Sequence, residues 1–257
     1  MEQFLPVNFQ VRYNMTIRKN LCLLLFFLAI RLIAQVAPSG KYVEVGMGLA
    51  ATNYSGDIAE AHVEFAQANL GGNLFVRYQL LPFVLLRGQL FAGKIAGDDR
   101  NSPTHTGRNF RFSTFLLEPS GLLEFALGTY QFDPPSGRGS IFFAPYLFAG
   151  LGALFSRARV EYYGDPARRD YFVRTPLPEA GKERHTLLVT PFGGGLRAIF
   201  NERLAFALEA NARPAHSDIL DGVSQNANPA EGDWFYTLGL SCAYILNGPF
   251  AVRSRKL

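Results

Sequence analysis

The chain of 257 residues carries 25 Lys and Arg against 21 Asp and Glu, a formal net charge of +4. Charged residues are only 18% and aromatics 14%, which is little charge and many rings for an ordinary soluble domain and suits a wall with one face in hydrocarbon. The small basic excess comes with no nucleic-acid motif, so no nucleic-acid partner is expected.

In chain order, Arg18 and Lys19 precede an apolar run, 21–30, that ends at Arg31. A positive segment, a short apolar core and the small residues Ala34 and Ala37 read as a secretory signal cleaved near one of those alanines, with Met1 or Met15 as the start. The run is too short for a membrane helix. Cys22 lacks the small preceding residue of a lipoprotein site. Cleavage would leave Cys242 alone, with no intramolecular disulfide, as a small hydrophobe on an apolar face. The expected organisation is a signal over 1–37, one strand-built domain over 38–247 and a short basic tail over 248–257.

From there the pattern alternates with period two. The first strand, 42–54, would put Val43, Val45, Met47 and Leu49 outward and Glu44, Gly46, Gly48 and Thr52 inward. The second, 71–80, sets Leu74, Val76 and Tyr78 against Asn73, Phe75, Arg77 and Gln79, and turns tightly at Leu81-Pro82. The third, 83–95, carries Arg87 and Gln89 inward. The fourth, 110–127, turns Leu117, Leu123, Phe125 and Leu127 outward and Glu118, Ser120 and Glu124 inward. A Pro/Gly connector over 130–140 leads to the fifth, 141–156, with Leu147, Leu151 and Phe155 against Tyr146, Phe148, Gly150 and Gly152. The eighth, 234–246, has Leu238, Leu240, Cys242 and Tyr244 outward.

Between these lie the sixth strand, 187–200, and the seventh, 204–213. A three-residue loop at 201–203 would place Phe200 opposite Leu204, Ala198 opposite Phe206 and Leu196 opposite Leu208, so turn length and apolar pattern agree on one register. The opposite faces hold Gly193, Gly195 and Arg197, then Glu209, Asn211 and Arg213. Gly193 to Gly195 lie inside a strand and mark close approach or a bulge at the wall.

Eight strands with alternating long and short connections predict an all-β fold, an eight-stranded antiparallel transmembrane barrel of the outer-membrane type, located in the outer membrane of a Gram-negative cell. The alternative is a secreted β-sandwich. Eight staves leave an interior that side chains fill. The inward charges Glu44, Glu118, Glu124 and Glu209 balance Arg77, Arg87, Arg197 and Arg213, and a paired network is expected there as a structural element, with catalysis or conduction as the alternative. His62, His105, His185 and His216 read as loop residues without metal-ligand spacing. Asp98-Asp99 with His105, or His216 with Asp218 and Asp221, are the loop-borne hydrolytic sites to weigh, but any solvated loop holds such residues. No enzyme, cofactor, metal or small-molecule substrate is expected.

Six stretches in order carry a resemblance: EVGMGLAATNYSGDI over 44–58, FVRYQLLPFVLLRGQLFAGKIAGDD over 75–99, RNFRFSTFLLEPSGLLEF, APYLFAGLGALF, TPFGGGLRAIFNERLAFALEA and SDILDGVS over 217–224. Together they resemble the PorG-like outer-membrane barrels of the Bacteroidetes type IX secretion system, although that pattern favours an acidic residue where Gly222 stands and a Tyr soon after. The resemblance implies a barrel that anchors the periplasmic secretion ring, made by a lipoprotein and its partner, to the membrane without being the channel. The outer-membrane lipids are the other expected partner. A free-standing barrel of the OmpA/OmpX type, acting in adhesion or envelope integrity through its long loops, is the second reading.

Overall fold

The computed structural model describes residues 41–55, 68–98, 109–132, 141–168, 184–200, 203–216, 220, 233–246 and 255–256. The signal segment over 1–37, Cys22, Gly222, most of the long loops and Asn201-Glu202 lie outside the described residues.

The strands are β1 (Val43–Ser55), β2 (Asn69–Leu81), β3 (Val84–Asp98), β4 (Phe110–Ala126), β5 (Tyr130–Phe132), β6 (Ile141–Tyr162), β7 (His185–Val189), β8 (Phe192–Phe200), β9 (Leu204–Pro214), β10 (Trp234–Ile245) and β11 (Arg255–Lys256). Neighbours pair antiparallel around the sheet, and β10 returns to β1 from Ser55 opposite Trp234 to Glu44 opposite Ile245. The result is a closed eight-stranded barrel. Closure removes the sheet edges that would otherwise leave backbone groups unpaired. The hairpin β8–β9 takes the expected register, with Phe200 opposite Leu204, Ala198 opposite Phe206 and Leu196 opposite Leu208.

Two staves are interrupted. β5 continues β4 after Leu127-Gly128-Thr129, where Gly128 takes a φ of 155° that suits glycine. The connector expected over 130–140 therefore begins with three strand residues. The expected sixth strand is β7 and β8, split at Thr190-Pro191: Pro191 has no N–H for the ladder, yet its carbonyl still accepts from Gly150 N at 2.9 Å. At the other end, Arg255–Lys256 pairs parallel with β5.

β6 runs to Tyr162, beyond the expected end at 156. The alternation continues there with Ala158 and Val160 buried, but the outward positions are Arg157, Arg159 and Glu161, and an apolar outward face no longer marks the strand. β3 and β4 lengthen alongside it, with Asp98 opposite Arg111 and Arg111 opposite Glu161. Above Gly93 and Ser156 these three strands pair only with each other among the described residues, so one wall of the barrel stands taller than the rest.

Outward positions form an apolar belt, typified by Met47 at 64% exposure and Leu240 at 68%. Rings border it at both ends: Trp234 stacks on Tyr236 with Phe192 edge-on at the long-loop end, and Phe200 meets Phe206 at the short-turn end. Water would penalise so continuous a surface; hydrocarbon would not. Val43 departs from the pattern, since its outward position at the rim is fully buried.

The interior is more apolar than the sequence reading held. At the long-loop end Phe91, Phe110, Phe112, Leu116, Leu154 and Phe235 pack with Tyr54 and with Leu220, which reaches in from the last loop. At the short-turn end Tyr42, Phe75, Leu85, Ile199 and Ile245 form a second cluster. A charged layer lies between them.

Glycines make room for the rings. A Cβ on Gly193 would stand 2.1 Å from the Ala210 carbonyl oxygen and 2.7 Å from the Phe148 ring, and one on Gly195 would stand 2.8 Å from the Tyr146 hydroxyl. Outward Gly88 has nothing within 4 Å of that position. Gly193→Ala is therefore expected to destabilise the folded barrel by about 1–3 kcal/mol, as overpacking does, while Gly88→Ala stays within about 0.5 kcal/mol of wild type. Urea titration of barrels refolded in lipid vesicles measures both, and equal midpoints would contradict the face assignment.

Candidate functional site

All eight inward charges come from strands on different sides of the barrel: Glu44 on β1, Arg77 on β2, Arg87 on β3, Glu118 and Glu124 on β4, Arg197 on β8, and Glu209 and Arg213 on β9. Period two turns each inward and closure brings them to one axis. All are buried except Glu209, whose side chain retains 14% exposure.

Glu124 is the centre. Its Oε1 lies 2.8 Å from Arg77 Nε and 2.9 Å from Arg87 Nε, and its Oε2 accepts from Arg197 Nη2 at 2.8 Å. Arg77 and Arg87 are direct cross-strand neighbours, a like-charge pairing that repels unless an anion stands between them. Glu44 reaches Arg77 at 3.4 Å and Arg197 at 3.6 Å. Glu209 binds Arg87 at 2.6 Å and accepts from the Tyr146 hydroxyl at 2.8 Å. Glu44, Glu124 and Glu209 thus meet Arg77, Arg87 and Arg197 in a group of zero net charge. Nearer the long-loop end, Arg213 pairs with Glu118 at 3.0 Å and donates to Thr237 Oγ1 at 2.7 Å, while Ser120 Oγ donates to Glu118 at 2.9 Å.

Rings cover the guanidinium faces. Arg77 lies 4.2 Å from the Phe75 ring centroid, Arg87 4.6 Å from Phe148, Arg197 5.0 Å from Tyr146 and Arg213 4.6 Å from Phe91. The space beside Arg87, Glu209 and Arg213 amounts to about 20 Å³, room for about one water molecule. The sequence reading had Phe75, Tyr146 and Phe148 in the interior but missed Phe91 and Phe235, whose inward parity was the available signal.

The loop residues weighed for hydrolysis are not brought together among the described residues. Asp98 ends β3, where it binds Arg111 at 2.8 Å and accepts from the Tyr163 hydroxyl at 2.7 Å. His185 begins β7 rather than lying in a loop, and His216 sits 2.6 Å from Thr190 Oγ1. His62, Asp99, His105, Asp218 and Asp221 lie outside the described residues. Among the described residues no group of three or more His, Cys, Asp and Glu is placed to hold a metal ion.

The model of the family described as Domain of unknown function (DUF6089) matches residues 19–249. The chain belongs to this family. No curated protein matches it. Among solved structures, the chain is similar to Ail, the attachment invasion locus protein of Yersinia pestis, in complex with the heparin analogue sucrose octasulfate, at 13% identity and a TM-score of 0.40, covering 80% of this chain and 99% of that one. Neisserial surface protein A aligns at 13% identity and 0.40, over 80% of this chain and 97% of that one. The outer membrane protein OprG from Pseudomonas aeruginosa aligns at 11% and 0.33, over 81% and 98%.

Removing one member of a buried ion group strands its partners. Glu124→Gln leaves three guanidinium groups short of an anion, and the folded barrel is expected to lose about 3–5 kcal/mol. Asp98→Asn breaks a pair whose arginine is half exposed and should cost less than about 1 kcal/mol. Unfolding midpoints in urea test the contrast, and a Glu124→Gln barrel as stable as wild type would show that the layer does not depend on that carboxylate.

Proposed function

We propose that the protein is a non-conducting, non-enzymatic barrel of the Gram-negative outer membrane that anchors, or assembles with, the periplasmic ring of the type IX protein secretion machinery. The observation that carries the first half is the filled interior. Two apolar clusters and a neutral ion group occupy the axis, so a folded wall of this kind acts by contact rather than by passing solute. The apolar belt and its bordering rings support a bilayer as the surrounding medium.

The second half rests on the PorG-like resemblance of the six ordered stretches. A plugged barrel fits a ring anchor, which needs membrane attachment and no pore. The partners on this reading are the outer-membrane lipids and, at the short-turn end, a ring lipoprotein and its companion. Exposed Leu81 and Phe83 at the β2–β3 turn and Arg203 before β9 belong to that end. The free-standing reading draws on the tall β3–β4–β6 wall, which carries strand structure beyond the belt on the long-loop side.

The deciding experiment is affinity purification of a tagged copy from outer membranes. Secretion-ring proteins should co-purify, and a variant with the short-turn residues Phe83→Ser and Arg203→Ser should recover fewer of them. Recovery of the bare barrel alone, with secretion intact in a deletion strain, would remove the ring-anchor reading. Planar-bilayer recordings of purified wild type should show no stable conductance step. A large, steady step would refute the sealed interior and move the function toward a porin.

A further inference from the structure

Every charge on β1–β10 that does not point inward falls on one wall. The outward charged strand residues are Lys94 and Asp98 on β3, Arg111 on β4, and Arg157, Arg159 and Glu161 on β6, three consecutive staves of the eight. Outward positions of the other strands are apolar or uncharged. This wall is therefore distinct in charge as well as in height.

The register fixes how these residues sit. Lys94 is opposite Phe115, and Phe115 is opposite Arg157, so two cations flank one exposed ring in a row about 10 Å across, two strand spacings. One outward step higher, Arg159 is opposite Ser113 and Ser113 is opposite Ala96. Higher still, Asp98 and Glu161 sit on either side of Arg111; Asp98 binds Arg111 at 2.8 Å, and Glu161 binds Arg159 at 2.7 Å. Four cations against two carboxylates leave this wall with an excess of two positive charges. The lower edge of the patch is the upper edge of the apolar belt: Phe155 and Arg157 are successive outward positions on β6, as are Ala92 and Lys94 on β3.

A cationic row directly above a hydrocarbon-facing surface meets the headgroup layer, and in the outer leaflet of a Gram-negative outer membrane that layer carries phosphorylated glycolipid. We infer that Lys94, Arg157 and Arg159, with Ser113 and Phe115 as the floor between them, bind the phosphate groups of an outer-leaflet lipid A, whose acyl chains lie along Leu90, Leu151 and Phe155 below. Guanidinium and ammonium groups supply charge-assisted hydrogen bonds to phosphate, and the exposed Phe115 ring gives the upper acyl chain an apolar surface between the two cations. The inference rests on the outer-membrane reading above. It makes the tall wall the side of the barrel with a fixed lipid neighbour.

The test uses full-length barrel in detergent, titrated with diphosphoryl lipid A and with the same lipid enzymatically stripped of phosphate, followed by native mass spectrometry. Diphosphoryl lipid A should bind at least about tenfold more tightly than the stripped lipid, and Lys94→Ser/Arg157→Ser/Arg159→Ser should lose most of that difference, while Arg203→Ser at the other end keeps it. Equal binding of the two lipids by wild type overturns the site, and that arm decides even if the triple variant does not fold. Full displacement by equimolar inorganic phosphate would assign the patch to a free anion and overturn the lipid reading. Heat-modifiable gel mobility and membrane fractionation of wild type are read separately. Fractionation away from outer-membrane markers would sink the location while leaving the binding comparison interpretable.

Discussion

One carboxylate, Glu124, holds three guanidinium groups that arrive from three other strands, and the geometry of the interior follows from that arrangement. A barrel with an apolar exterior in lipid gains little from burying that exterior, because the surroundings are as apolar as the side chains. Its ladders supply backbone hydrogen bonds in any register that keeps faces intact. A slip of two residues preserves the inward and outward faces, so binary alternation does not exclude it. The ion layer does. Arg77 and Arg87 tolerate their direct opposition only while Glu124 stands between them, and a shifted strand would strand charge in the interior. A network so placed would fix register, the best-attested use of buried polar groups.

That role requires dry surroundings. The clusters around Phe112 and around Phe75 cap the charged layer on either side and exclude bulk water, which keeps the ion pairs strong and leaves any unmatched charge costly. The rings of Phe75, Tyr146, Phe148 and Phe91 then cover guanidinium faces that no carboxylate reaches. Such large side chains fit within eight staves because the facing wall is glycine: Gly46 beneath Phe75, Gly195 against Tyr146 and Gly193 against Phe148. Glycine placement, ring packing and ion pairing are one solution to a narrow cylinder.

Much of this could be read in the residues because period two is rigid: once Leu208 faces out, Glu209 must face in. Strand order, hairpin register and the inward charges follow from that rule together with loop lengths. It failed where its marker changed. The upper part of β6 alternates as strictly as the lower, but its outward residues are Arg157, Arg159 and Glu161, so a search for an apolar outward face stops at 156. Phe110 and Phe112 also have inward parity, yet of the aromatic residues only Phe75, Tyr146 and Phe148 are assigned to the interior from the sequence, because a mainly charged and polar interior is expected. The partner of each charge was also out of reach. Cross-strand neighbours can be listed from a register, whereas Arg197 with Glu124 meets over the intervening β6 and Arg213 with Glu118 over a wider gap, and that depends on how eight staves close.

The unequal height of the walls ties the interior to the loops. On the β3–β4–β6 side, Phe110, Phe112 and Val160 extend the apolar lining above the level at which the other staves have ended. A lining that high needs a cover from the shorter side, and among the described residues Leu220 contributes to it. Leu220 is fully buried against that cluster, its carbonyl accepts from Thr114 Oγ1 at 2.8 Å, and its N–H donates to Asp233 at 2.8 Å. Asp233 in turn accepts from the Tyr54 hydroxyl, which joins the start of β10 to the end of β1 at the seam where the barrel closes. The same contacts therefore cap the apolar lining and tie down the closing seam. Loss of the Leu220 contacts would uncover this cluster and loosen the β1–β10 junction together, whereas the short-turn end, with its own cluster around Tyr42 and Ile245, would keep its packing.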